Sequence, residues 1–71
     1  MILQKRLREM RNTLHLTQSK VAKDVDINER TYQRYENGDI EPKASNLFKL
    51  AKYFNVSTDY LLGLSDDPTR R

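Results

Sequence analysis

Leu3, Leu7, Met10 and Leu14 recur at steps of four, three and four, the spacing of one face of an α-helix. Leu47, Leu50, Ala51 and Phe54 repeat that pattern in the second half, and no stretch alternates apolar and polar positions as a strand does. Other helices are marked by their first residues. Thr17 lies between Leu16 and Val21, Asn28 between Ile27 and Tyr32, and Ser57 between Val56 and Leu61. In each case a polar N-cap follows an apolar residue whose partner stands at N4, the hydrophobic staple that fixes how a chain enters a helix. Losing one such cap costs about 1 kcal/mol. Asn37-Gly38 supplies a stop, and Pro42 divides the halves. The pattern predicts five helices, at residues 2–13, 18–25, 29–36, 44–54 and 58–63, in an all-α fold. Residues 1–64 read as one domain and 65–71 as a short polar tail.

Seventy-one residues make one domain at most. A chain of this size buries only about 60% of the surface its unfolded form exposes, so deep clefts are not expected. There is no cysteine, which excludes disulfides and thiolate metal sites, and His15 alone cannot make a histidine zinc cluster. His15 reads as an ordinary residue at a helix C-terminus, and no cofactor or metal is expected. No apolar run approaches the ~20 residues that span a bilayer, and the N-terminus lacks a signal-peptide core. The expectation is a small cytoplasmic domain. No Ser/His/Asp set, phosphate-cradling glycine loop or rigidly placed carboxylate pair points to an enzyme.

The net charge is +3, and its placement matters more than its total. Residues 1–38 carry eight basic and five acidic side chains, whereas residues 39–71 carry five of each. The excess is concentrated in Lys5, Arg6, Arg8 and Arg11, a basic stripe of the kind that gathers an anionic partner such as nucleic acid. A solvated helix face explains the same charges equally well.

The second and third helices are short and joined by the Asp26-Ile27-Asn28 turn, which forces a sharp crossing. Ala22 leaves little bulk on the inner face of the second helix, so the third approaches closely. That arrangement is a helix-turn-helix, whose second helix enters the DNA major groove.

Thr17-Gln18 through Val21-Ala22, Tyr35-Glu36-Asn37-Gly38, Pro42, Leu47-Phe48-Lys49-Leu50-Ala51 and Val56 through Gly63 resemble the Cro and phage-repressor helix-turn-helix family, also called the xenobiotic-response-element family. The match runs from Leu3 to Gly63 with the motifs in order. It implies a compact, five-helix, lambda-repressor-like domain that binds double-stranded operator DNA, commonly as a homodimer on an inverted repeat, and represses or sometimes activates transcription.

On the third helix, Tyr32 and Tyr35 face inward by spacing, and Glu29, Arg30, Gln33 and Arg34 form the opposite stripe. With the resemblance, these four are the base-reading candidates. Arg30 and Arg34 suit guanine, Gln33 suits adenine, and Glu29 accepts from a cytosine amino group or repels a wrong register. Phosphate contacts are expected from Gln18 and Asn28 at helix starts, from Asn37 and Lys43 on the loop that flanks DNA in the family, and secondarily from Arg11. The family pattern also pairs Arg11 with Glu36, a structural ion pair tying the first helix to the third.

Asp26 and His15 stand where the family often has glycine, Lys43 replaces a Ser or Thr cap, and Tyr32 brings a hydroxyl that must find a partner. Tyr60, Leu62 and Leu64 offer more apolar surface than one short helix can bury, a candidate dimer interface. The rival reading is a protein-interaction module, an anti-repressor or antitoxin holding a protein partner through the same fold. Leu64 to Pro68 resembles the junction at which longer relatives continue, so a minimal regulator and a fragment of a longer one both fit.

Overall fold

The computed structural model describes residues 2–69. Five helices occupy Ile2–Thr13 (α1), Gln18–Asp24 (α2), Glu29–Asn37 (α3), Ala44–Phe54 (α4) and Thr58–Leu62 (α5). The fold is all-α, and helix bounds lie within a residue of those the sequence predicts. Val25 caps α2 and Gly63 caps α5 rather than continuing them, while α3 extends one residue further, to Asn37.

The N-caps explain where three helices begin. The side chains of Thr17, Asn28 and Ser57 accept from the backbone N–H of Lys20, Thr31 and Tyr60, each satisfying a donor with no intrahelical partner. Lys43 makes no side-chain cap bond, so α4 starts without that help.

The core draws on every helix. Leu3 and Leu7 of α1 meet Val21 and Ala22 of α2, Tyr32 and Tyr35 of α3, Leu50, Ala51 and Phe54 of α4, and Leu61 of α5, all buried. α1 packs against both α3 and α5 and thereby joins the two ends of the domain. Leu14 is a correction to the sequence reading. The helical spacing puts it on the inner face, yet it is 52% exposed, because α1 ends at Thr13 and the chain reverses through left-handed His15.

Residues 65–69 are more than a polar tail. Arg6 donates to the carbonyls of Tyr60 and Ser65 and pairs with the Asp66 carboxylate at 2.9 Å, and the Ser57 N–H donates to the Pro68 carbonyl at 3.0 Å. The segment therefore folds back beside α5. Among the described residues no helix is long and apolar enough to cross a membrane.

Candidate nucleic-acid interface

Asp26 adopts a left-handed conformation (φ 57°), and Ile27 donates its N–H to the Ala22 carbonyl, so α2 reverses tightly into α3. Ala22 is buried, with no bulk to hold the helices apart. Tyr32, Tyr35 and Glu36 take the buried side of α3, leaving Glu29, Arg30 and Arg34 exposed and Gln33 half-buried along the opposite side. Asn37 is exposed at the helix end. The four base-reading candidates thus share one polar stripe, pinned from behind.

The pin is Glu36, whose side chain is fully buried. Its carboxylate accepts from Arg11 Nε at 2.7 Å, Arg11 Nη2 at 2.9 Å, Tyr32 Oη at 2.5 Å and Gln18 Nε2 at 3.1 Å. Arg11 also donates through Nη1 to the Leu16 carbonyl at 3.0 Å. One carboxylate therefore ties α3 to α1 and to the start of α2. Burial alone would raise the Glu36 pKa, but the bonds from Arg11, Tyr32 and Gln18 outweigh it and hold the carboxyl below the ordinary glutamate range. Burial and the same carboxylate push the Tyr32 phenol well above its usual value, so it stays a neutral donor.

This network occupies two of the phosphate candidates. Arg11 is only 15% exposed and spends Nε, Nη1 and Nη2 inside the protein, and Gln18 turns its amide inward to Glu36. Both hold the carboxylate that holds α3. Asn28 is exposed and uses Oδ1 as the cap of α3, and Lys43 is exposed ahead of α4.

The basic stripe of α1 is also divided. Arg6 turns to Tyr60 and Asp66, stacking 4.0 Å over the Tyr60 ring, while Arg8 turns to the end of α3. There Arg8 Nη2 donates to the Glu36 carbonyl at 2.9 Å with its side chain 53% exposed. The sequence marks Arg8 only as one member of the basic stripe, and the packing of α1 on α3 is what brings it to the last turn of α3. The remaining apolar candidates lie elsewhere: Tyr60 is half-buried under Arg6, and Leu62 and Leu64 are 45% and 75% exposed. Among the described residues no group of three His, Asp or Glu side chains is placed to hold a metal.

Comparison with known proteins meets this geometry. A family model described as Helix-turn-helix matches residues 7–61. The uncharacterized HTH-type transcriptional regulator YobD of Bacillus subtilis (strain 168) is 40% identical over 63 residues, covering 89% of this chain and 56% of that protein. The HTH-type transcriptional regulator ImmR of the same strain is 41% identical, with 89% and 50% covered. The cryptic phage CTXphi transcriptional repressor RstR of Vibrio cholerae serotype O1 (strain ATCC 39315 / El Tor Inaba N16961) is 33% identical, with 89% and 56% covered. This chain spans about half the length of these relatives. The fold matches the P22 c2 repressor, in its crystal structure with synthetic operator 9T, at a TM-score of 0.81 and 30% identity over 86% of this chain and 92% of that one.

Proposed function

This chain belongs to the Cro and phage-repressor type of the helix-turn-helix family, and from that premise we propose that it is a sequence-specific, double-stranded DNA-binding regulator of transcription, acting in the cytoplasm as a repressor. The observation that carries the proposal is the polar stripe of α3, with Glu29, Arg30 and Arg34 exposed and Gln33 half-buried among them, while Glu36 clamps the opposite side.

In this reading α3 lies in the major groove with Glu29, Arg30, Gln33 and Arg34 toward base edges, Arg30 and Arg34 each able to give guanine two hydrogen bonds. Asn28, Asn37 and Lys43 meet phosphates, and Arg8 joins them. Arg11 and Gln18 contribute by fixing α3. The protein acts as a homodimer through Tyr60, Leu62 and Leu64, whose exposed leucines support a contact with a second copy. A twofold pair sets its two α3 helices about 34 Å apart, one turn of DNA, and so reads an inverted repeat.

Selection from a random duplex pool, followed by titration of the winner at several salt concentrations, tests the proposal. The expected result is an enriched inverted repeat whose affinity falls steeply with salt as counterions are released. Arg30→Ala is expected to cost about 1–3 kcal/mol and to relax preference at one position of each half-site. No enrichment, with weak salt-sensitive binding alone, refutes DNA reading and leaves a protein partner as the ligand of this fold. A species that sediments as a monomer both free and on DNA refutes the dimer.

A further inference from the structure

Ser19, the second residue of α2, is exposed and lies outside the stripe of base-reading candidates. Its hydroxyl donates to Glu29 Oε1 at 2.5 Å, although the residues are ten positions apart and on different helices. The other oxygen of the same carboxylate, Oε2, faces Gln33 Nε2 at 3.4 Å. Glu29 is thus the one acidic member of the α3 stripe and is held from both sides.

A glutamate at the first position of α3 with no such contacts has three free torsions and sweeps a wide volume. Free to move, it repels phosphates wherever it goes and favours no base. Held at one place, it presents acceptors only, among the donors of Arg30 and Arg34. An acceptor fixed over the major groove matches a base that carries an exocyclic amino group there, cytosine through N4 or adenine through N6. Guanine and thymine oppose it with carbonyl oxygens.

We infer that Ser19 is a positioning residue for sequence specificity: through its hydroxyl it fixes the Glu29 carboxylate so that one operator position is restricted to an amino-bearing base. This rests on the DNA-reading function proposed above and extends it to a side chain that touches no base. A serine contacting phosphate instead would strengthen binding to every sequence alike.

The test is parallel selection from a random duplex pool with the full chain and with Ser19→Ala, Ser19→Thr, Glu29→Ala and the Ser19→Ala/Glu29→Ala double variant. The expected wild-type result is cytosine or adenine enriched at one position per half-site, and which of the two appears identifies the base. Ser19→Ala is expected to reduce that preference about tenfold while preferences at the other positions persist, an internal control that the variant folds. Ser19→Thr, which keeps the hydroxyl, restores it, and Ser19→Ala adds nothing to Glu29→Ala at that position. Uniform weakening across all sequences in Ser19→Ala overturns the inference in favour of a phosphate contact. An unchanged preference in Ser19→Ala overturns it outright while leaving DNA reading intact. Failure of the wild type to enrich any motif overturns both.

Discussion

At Glu36 three side chains from three helices converge on one buried carboxylate. Such a group stabilises only while it is ionised and fully partnered. Its folded pKa lies below the ordinary value, so its contribution is complete above the unfolded glutamate value of about 4.3 and is lost as pH falls through the lower folded value. Glu36→Gln strands Arg11 beside a neutral amide and is expected to cost about 3–5 kcal/mol near neutral pH. Thermal melts of both proteins from pH 7 to 2 should show their gap starting to close as pH falls past the unfolded glutamate value of about 4.3 and vanishing only below the lower folded value, where the wild-type carboxyl itself is protonated. A gap independent of pH would mean the loss is one of shape. Tyr32→Phe, which removes one donor and keeps the ring, is expected to cost about 1.5–3 kcal/mol, read from urea unfolding midpoints. Of this cluster, the Arg11–Glu36 pairing came from family resemblance, and the need of the Tyr32 hydroxyl for a partner came from its burial. That Gln18 joins the same carboxylate was not legible, because the bond links residues eighteen apart through the crossing of α2 and α3.

At the scale of the element, all five helices end in one way. His15, Asp26, Gly38, Asn55 and Gly63 all have positive φ, and the residue after each donates its N–H to a carbonyl five positions back. These are Schellman ends, and each sets how the chain leaves its helix. Two use glycine, but His15, Asp26 and Asn55 hold φ 57° with a side chain present. A left-handed residue with a Cβ carries about 1–2 kcal/mol of strain, least for Asn and Asp. His15→Gly is therefore expected to raise stability by about 0.5–1 kcal/mol after glycine's larger entropy loss is set against the relief. A lower melting temperature would show that the imidazole contributes something no contact in the structure accounts for. Gly38 runs the other way. Its φ of 80° strains any residue that carries a Cβ, so Gly38→Ala should destabilise the end of α3, while the Gln4 amide tip that lies where the Cβ would go can swing aside. The sequence made His15 and Asp26 legible as occupants of glycine positions. It placed the end of the first helix at residue 13 but still put Leu14 on the inner face, because hydrophobic spacing runs on through a helix end and the reversal at His15 turns that side chain outward.

For the molecule as a whole, composition states how many charges exist but not how many are already spent. The four cations of α1 looked like one surface, yet residues two apart on a helix point about 200° apart, so Arg6 and Arg8 serve opposite sides. Arg6 is 13% exposed and binds the chain's C-terminal segment to its first helix, whereas Arg8 stands half in solvent against the end of α3. Their substitutions should therefore separate cleanly. Arg6→Ala breaks hydrogen bonds made by a charged group and is expected to cost about 1.5–3 kcal/mol. It should also speed amide exchange at Ser57, whose N–H is held by the Pro68 carbonyl, because residues 65–69 lose their anchor. Operator preference and the salt dependence of binding should stay as they were. Arg8→Ala should do the reverse: a smaller loss of stability, since its one bond to the Glu36 carbonyl stands half in solvent, a roughly uniform loss of affinity across sequences, and a salt slope shallower by about one. Measuring both variants by melting and by salt titration of the selected operator decides the division. A shallower slope for Arg6→Ala would place DNA on the α5 side of α1, against the α3 surface from which the binding mode is argued.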